Sequence, residues 1–193
     1  MWSNDLDMDM NFRRMEKRDL AIIIAWLATP AEAHAWARDD FRFNCPMDMR
    51  QVIEDFDSAE SRGLYLWTAV NAADLPVGMF SLKVSEDGTI GTIGQVLLNP
   101  LHRERHGHHF VMSILQLVRD SYVVDYLNVH VADHKVSTQE TLMDYGFQST
   151  GFVFAPEFEG RTLRLIELAC AADALRLPTR PETTKVPAHA VRA

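Results

Sequence analysis

The chain has 193 residues, 47% of them hydrophobic, and a formal net charge of −8. That length and apolar content suit one compact domain with a full core, and the acidity excludes coating nucleic acid, which needs a basic face. The two cysteines, Cys45 and Cys170, stand far apart in no CxxC spacing, which excludes a disulfide framework or zinc ribbon and fits the cytoplasm.

The acidic start lacks the basic and apolar regions of a signal peptide. No apolar run approaches the ~20 residues of a membrane span, so no membrane partner is expected. Residues 12–15 predict a short first strand. A helix follows from Glu16 or Asp19, with Leu20, Ile23, Ile24 and Leu27 at helical spacing. Pro30 ends it and opens a second short helix over 31–38. Pro46 is expected to open a third over 47–60, with Met49, Val52, Ile53 and Phe56 on one face. The period then changes. Strands are predicted at 64–70, 77–84 and 90–98, with an Asp87-Gly88 hairpin turn between the last two. A helix over 106–118, a buried strand over 126–131 and a helix over 137–144 come next, with Gly146 as the residue that stops the last helix. Strands at 147–154 and 161–169 follow, joined by a turn over 156–160. Pro178, Pro181 and Pro187 mark a polar stretch with little core. The expected organisation is a domain over 10–170 and a flexible tail over 171–193. The order predicts an α+β domain.

Residues 90–118 form the most informative stretch: a buried strand, a turn crowded with Arg and His, then an amphipathic helix. A polar turn at a helix N-terminus is a natural anion site, because free N–H groups and the helix dipole both face it. The histidines allow a second reading. His102 and His106 are four apart, a spacing that puts two imidazoles on one helix face as zinc sites do. They flank the predicted helix start, however, and only Glu104 offers a nearby third ligand.

Three patterns in this order resemble the GNAT superfamily of acyl-CoA-dependent N-acyltransferases. FRRMEKRDLAIIIAWLATPAEAHAW resembles the opening of the ribosomal-protein and aminoglycoside 6′ acetyltransferase branch. IGQVLLNPLHRERHGHHFVMSIL resembles the strand-4, pyrophosphate-loop and helix-3 unit. VADHKVSTQETLMDYGFQSTGF resembles the strand-5, helix-4 and Gly-Phe unit. The resemblance covers residues 12–169. It implies a mixed, mostly antiparallel sheet of six to seven strands with helices on both faces. It also implies a splayed strand pair forming the acyl-CoA cleft.

By position, the resemblance assigns backbone contacts with the acyl-CoA arm to Val96, Leu97 and Leu98. It assigns the diphosphate loop to Arg103, Arg105, His106, Gly107 and His108, and a further contact to Thr138. The family loop carries glycines where this chain carries His106 and His108, and two readings stay open. Either the arginines and histidines hold the diphosphate by side chains as well as backbone, or the domain has drifted to another use. The strand-4 carboxylate that often serves as base is absent. Thr92 and Gln95 stand in that region and suit positioning a water. His130, like His134, is a candidate base or relay, and Ser137 and Tyr145 are nearby hydroxyls. The helix-4 tyrosine of many relatives aligns with Leu142. Trp26, Trp36, Phe41 and Phe43 lie in the segment that forms the acceptor wall in relatives. Trp36 is the best acceptor-site candidate among them, with Asp55 among the carboxylates suited to a cationic amine.

The resemblance thus implies an acyl-CoA-dependent N-acyltransferase, with acetyl-CoA as co-substrate and no metal. It would transfer directly to a primary amine of a small molecule or protein, because neither cysteine has a Cys-His setting. No nucleic acid is expected, and a homodimer is compatible. The alternatives are a non-catalytic GNAT-like module binding a CoA-type ligand or a partner protein, and a histidine metal-binding domain.

Overall fold

The computed structural model describes residues 10–27, 29–37, 48–155, 157–158, 161–162 and 164–178. The elements are β1 (Asn11–Arg14), α1 (Lys17–Ile24), α2 (Pro30–Ala37), α3 (Met49–Asp57), β2 (Leu64–Val70), β3 (Pro76–Val84), β4 (Ile90–Leu98), α4 (Arg103–Ser121), β5 (Tyr126–Ala132), α5 (Val136–Asp144), β6 (Gln148–Phe154), β7 (Glu157–Phe158), β8 (Arg161–Thr162) and β9 (Leu165–Ala171). Seven strands share one sheet in the order β1-β2-β3-β4-β5-β9-β6, and β7 pairs with β8 separately. Strand pairs β1/β2, β2/β3, β5/β9 and β6/β9 are antiparallel.

The chain divides into two compact units, one of residues 1–83, 93–107 and 157–161, the other of residues 84–92, 108–156 and 162–193. In the first, the stripe read from the sequence becomes the core. Leu20 and Ile23 of α1, Trp36 and Ala37 of α2 and Val52 of α3 cluster with Leu64, Leu66 and Met79 of the strands. Helix α1 starts where a reciprocal cap sets it: Asp19 accepts from the Glu16 N–H and Glu16 receives the N–H of Asp19. Helix α3 is capped by Asp48, whose carboxylate accepts from Arg50 N at 2.9 Å. The expected opening of that helix at Pro46 lies outside the described residues.

In the second unit, Phe110, Ile114, Leu115 and Val118 of α4, Leu127, Val129 and Val131 of β5, and Leu168 and Cys170 of β9 are buried. Gly146 ends α5 at φ 103°, and a Cβ there would lie 2.8 Å from the Ala174 carbonyl oxygen. The stretch after β9 packs on this corner, where Arg176 N donates to Tyr145 O at 2.9 Å. Residues 179–193 lie outside the described residues. The single strand expected over 161–169 is two: β8 and the longer β9, which runs to Ala171.

Candidate functional site

Strand β4 alternates as a half-buried strand should until Gln95, then changes parity. Gly91, Ile93 and Gln95 are buried and Thr92 and Gly94 partly so, but the next buried residue is Leu98, three positions on. Val96 between them is 43% exposed. One extra residue in a strand has this effect, and it re-aims the side chains and backbone that follow. The cause lies in the backbone: Gln95 has φ 48°, in the left-handed region that a residue with a Cβ rarely enters. Its carboxamide is buried, and neither Oε1 nor Nε2 has a hydrogen-bond partner among the described residues.

Asn99 and Pro100 then turn the strand into a helix. Asn99 N donates to Val77 O at 2.8 Å and Asn99 O accepts from His102 N at 2.8 Å. The Asn99 side chain accepts from Leu101 N at 3.0 Å. A short 3₁₀ turn, Pro100–His102, leads directly into α4 at Arg103. The expected loop of Arg103, Arg105, His106, Gly107 and His108 is therefore helix, and α4 begins three residues before the predicted His106. The Asn-Pro cap starts the helix early, and a single Gly107 is too small a penalty to delay it in a helix of 19 residues. An anion at this corner would thus meet the N–H groups of the first turn of α4.

The two arginines of that turn differ. Arg103 bends back, donating from Nε to Leu98 O at 3.0 Å, with Nη1 3.7 Å from Glu32. Glu32 in turn completes a capping box with Thr29 at the start of α2. Arg105 is exposed and makes no side-chain bond among the described residues. The rings of His102 and His106 are 6.0 Å apart, edge to face. Among the described residues no group of three or more His, Cys, Asp or Glu is arranged to hold a metal ion.

The remaining candidates of the first unit are placed differently. Trp36 is 5% exposed in the core, and its Nε1 donates to Met79 Sδ at 3.0 Å. An open acceptor wall was expected of it. An Ala-rich helix has no strong apolar face, so the one large ring turns inward. Trp26 is partly buried against the same core. Asp55 is buried on α3, where its backbone carbonyl accepts from Ser58 Oγ and Arg62 Nη2, both at 3.1 Å. Asp39, Asp40, Phe41, Phe43 and Cys45 lie outside the described residues.

In the second unit, His108 and Tyr145 meet: the phenol oxygen is 2.9 Å from Nε2. Burial pushes the Tyr145 hydroxyl above its ordinary pKa, with Asp144 adding to the shift, so it stays protonated at neutral pH. His130 on β5 lies 3.3 Å from Glu167, with the Phe154 ring edge-on at 4.5 Å. Ser137 and Thr138 sit in the first turn of α5, where Thr138 N donates to Lys135 O at 3.1 Å. Leu142 is buried. Sequence reasoning missed the His108–Tyr145 bond and the Asn99 cap. The Asn-Pro dipeptide signals the second, whereas nothing local signals the first.

No family model and no curated protein sequence matches this chain. Solved structures do. A spermidine N-acetyltransferase from Vibrio cholerae, in complex with CoA and spermine, superposes with a TM-score of 0.70 at 14% identity, over 86% of this chain and 96% of that one. A chimera of the Vibrio cholerae enzyme and hSSAT gives 0.68 at 14% identity, over 85% and 96%. A putative phosphinothricin N-acetyltransferase gives 0.65 at 17% identity, over 85% and 99%.

Proposed function

We propose that this chain, whose fold is that of the GNAT N-acetyltransferases, is an acyl-CoA-dependent N-acyltransferase, with acetyl as the acyl group, that transfers directly to a primary amine in the cytoplasm. The observation that carries the reading is the continuous unit of bulged β4, Asn99-Pro100 corner and α4 N-terminus. An acyl-CoA diphosphate needs convergent N–H donors and a cation. The first turn of α4 would offer the donors and Arg105, exposed and with no side-chain bond among the described residues, the cation, with Arg103 bracing the corner. Val96, Leu97 and Leu98, beyond the parity break, are the backbone that the acyl-donor arm would follow. The reaction asks for little else: polarisation of a thioester carbonyl, and a route for one proton from nitrogen to sulfur.

The neighbours act on spermidine or carry the name of phosphinothricin acetylation, so amine acceptors in general support the reading and no single acceptor does. Calorimetric titration with acetyl-CoA tests it, followed by an assay for free CoA thiol with a panel of amines. Saturable binding and thiol release with at least one amine are expected. No binding at high micromolar acetyl-CoA sinks the proposal. Binding without turnover on any amine favours the non-catalytic module, whose support is the histidines in the first turns of α4.

A further inference from the structure

Glu32 of α2 and Arg103 of α4 meet at the corner after β4, and both belong to the first compact unit. The Glu32 carboxylate is divided between two tasks. Its Oε2 accepts from Thr29 N at 3.1 Å, which caps α2. Its Oε1 lies 3.7 Å from Arg103 Nη1. The Arg103 guanidinium is divided too. Its Nε donates to Leu98 O at 3.0 Å, and its Nη2 makes no bond among the described residues. The two contacts of Arg103 differ in kind. The one to Leu98 O is a hydrogen bond, whereas 3.7 Å is too long for one, so charge alone holds Glu32 there. The side chains are 40% and 41% exposed, and a pair so placed is weak and easily exchanged. Arg103 is thus fixed at Nε and exchangeable at Nη1 and Nη2. The cap does not explain the charge on residue 32, because a Gln serves a capping box as well as a Glu.

We propose that Glu32 is a built-in competitor for the ligand's anion: it holds Arg103 until a phosphate group of an incoming ligand displaces it from Nη1. For acyl-CoA as that ligand, the inference rests on the acyltransferase reading above. What it adds is an inhibitory contact from a different helix, which lowers the affinity of the corner. The Nε bond to Leu98 O stays in place through the exchange, so the brace on the corner is kept. The Oε2 contact with Thr29 stays as well, so α2 keeps its cap. The phosphate gains the outer edge of a guanidinium, whose paired N–H groups match two phosphate oxygens. Against this gain stands the loss of one half-exposed ion pair, so the ligand wins the exchange, at reduced affinity.

The test titrates acetyl-CoA, and inorganic pyrophosphate as a second probe, into the full chain by calorimetry. The proteins are wild type, Glu32→Gln, Arg103→Gln and the double variant. Glu32→Gln keeps an oxygen for Thr29 and removes only the charge. It is expected to bind acetyl-CoA about two- to fivefold tighter than wild type, the scale of one half-exposed ion pair. Arg103→Gln is expected to bind more weakly, and in that background Glu32→Gln is expected to bring no gain. Affinity in Glu32→Gln that equals or falls below wild type overturns the proposal. A gain that persists without Arg103 overturns it too, because it reports general repulsion between Glu32 and the ligand. Should Arg103→Gln fail to fold, Glu32→Asp takes its place. It keeps the charge and shortens the reach to Nη1, so it shares the gain if Glu32 competes for Arg103 and shows none if the repulsion is general. A wild-type chain that binds no acetyl-CoA sinks the acyltransferase reading, and pyrophosphate then decides the exchange alone. Tighter pyrophosphate binding in Glu32→Gln supports it, and equal or no binding overturns it.

Discussion

Asp19 shows how one residue fixes the start of the fold. It is 1% exposed and takes Arg13 at 2.6 and 2.9 Å, Thr68 Oγ1 at 3.0 Å and Glu16 N at 2.9 Å. Burial pushes its carboxyl up, but Arg13, the Glu16 N–H and the Thr68 hydroxyl together hold it below the ordinary carboxylate range. A folded pKa below the unfolded one adds stability above the unfolded pKa, and that stability is lost as pH falls through the folded pKa. Asp19→Ala should therefore cost about 3 kcal/mol at pH 7, the scale for breaking a buried pair. Its urea stability should converge on wild type in strong acid; a gap independent of pH would show that the carboxylate is not the cause. At the site, Arg105→Ala should weaken acetyl-CoA binding by about 1.5–3 kcal/mol, the worth of a charged hydrogen bond. Calorimetry checks it, and unchanged affinity would remove Arg105 from the site. Both arginines are visible in the sequence. Their division of labour is not, because it depends on where Leu98 O and Glu32 lie.

At the scale of the element, α4 separates propensity from capping. A helix whose first residue is Arg103 makes its first internal bond from the N–H of His106 to the carbonyl of His102, so an anion at this end would meet only N–H groups before His106. Among the described residues nothing beyond the helix's own backbone lies within 4 Å of a Cβ added at Gly107. Gly107→Ala should raise stability by up to about 1 kcal/mol and leave acetyl-CoA affinity unchanged. A loss of affinity in that variant would place the anion deeper along the helix than its first turn. Asn99→Ala should cost about 1 kcal/mol by removing the cap, and should weaken acetyl-CoA binding by loosening the corner; chemical denaturation and calorimetry measure the two effects. The strand–turn–helix order of this unit is legible from the hydrophobic period alone. The early start of α4 is not, since histidines and a glycine look like loop when propensity is summed without the Asn99-Pro100 cap.

For the whole molecule, the acyltransferase reading predicts linkage between ligand and stability. Acetyl-CoA at a hundred times its Kd should stabilise the chain by about 2.7 kcal/mol if it binds only the folded state. A rise in melting temperature that saturates with concentration is the expected result, and a flat melting curve would argue that no acyl-CoA site exists. The net charge of −8 makes this a demanding test, because the chain as a whole repels an anionic donor and the attraction would have to come from local groups such as the α4 N–H groups and Arg105.

The sequence by itself determined the α+β order, the apolar stripe of α1, the meander of β2 to β4 and the polar turn after β4. Each depends on spacing within about ten residues, the range over which backbone period and side-chain type are coupled. Only the tertiary structure decided the rest. Trp36 turned into the core because Met79, 43 residues away, receives its N–H. His108 found Tyr145, 37 residues on, across two helices. Gln95 entered a left-handed backbone that no glycine announces, because the surroundings of the strand, not the preference of the residue, set its φ. The stretch from Ile90 to His108 could thus be read as strand, turn and helix from its residues, while the partners of its side chains were chosen by packing between residues distant in the sequence.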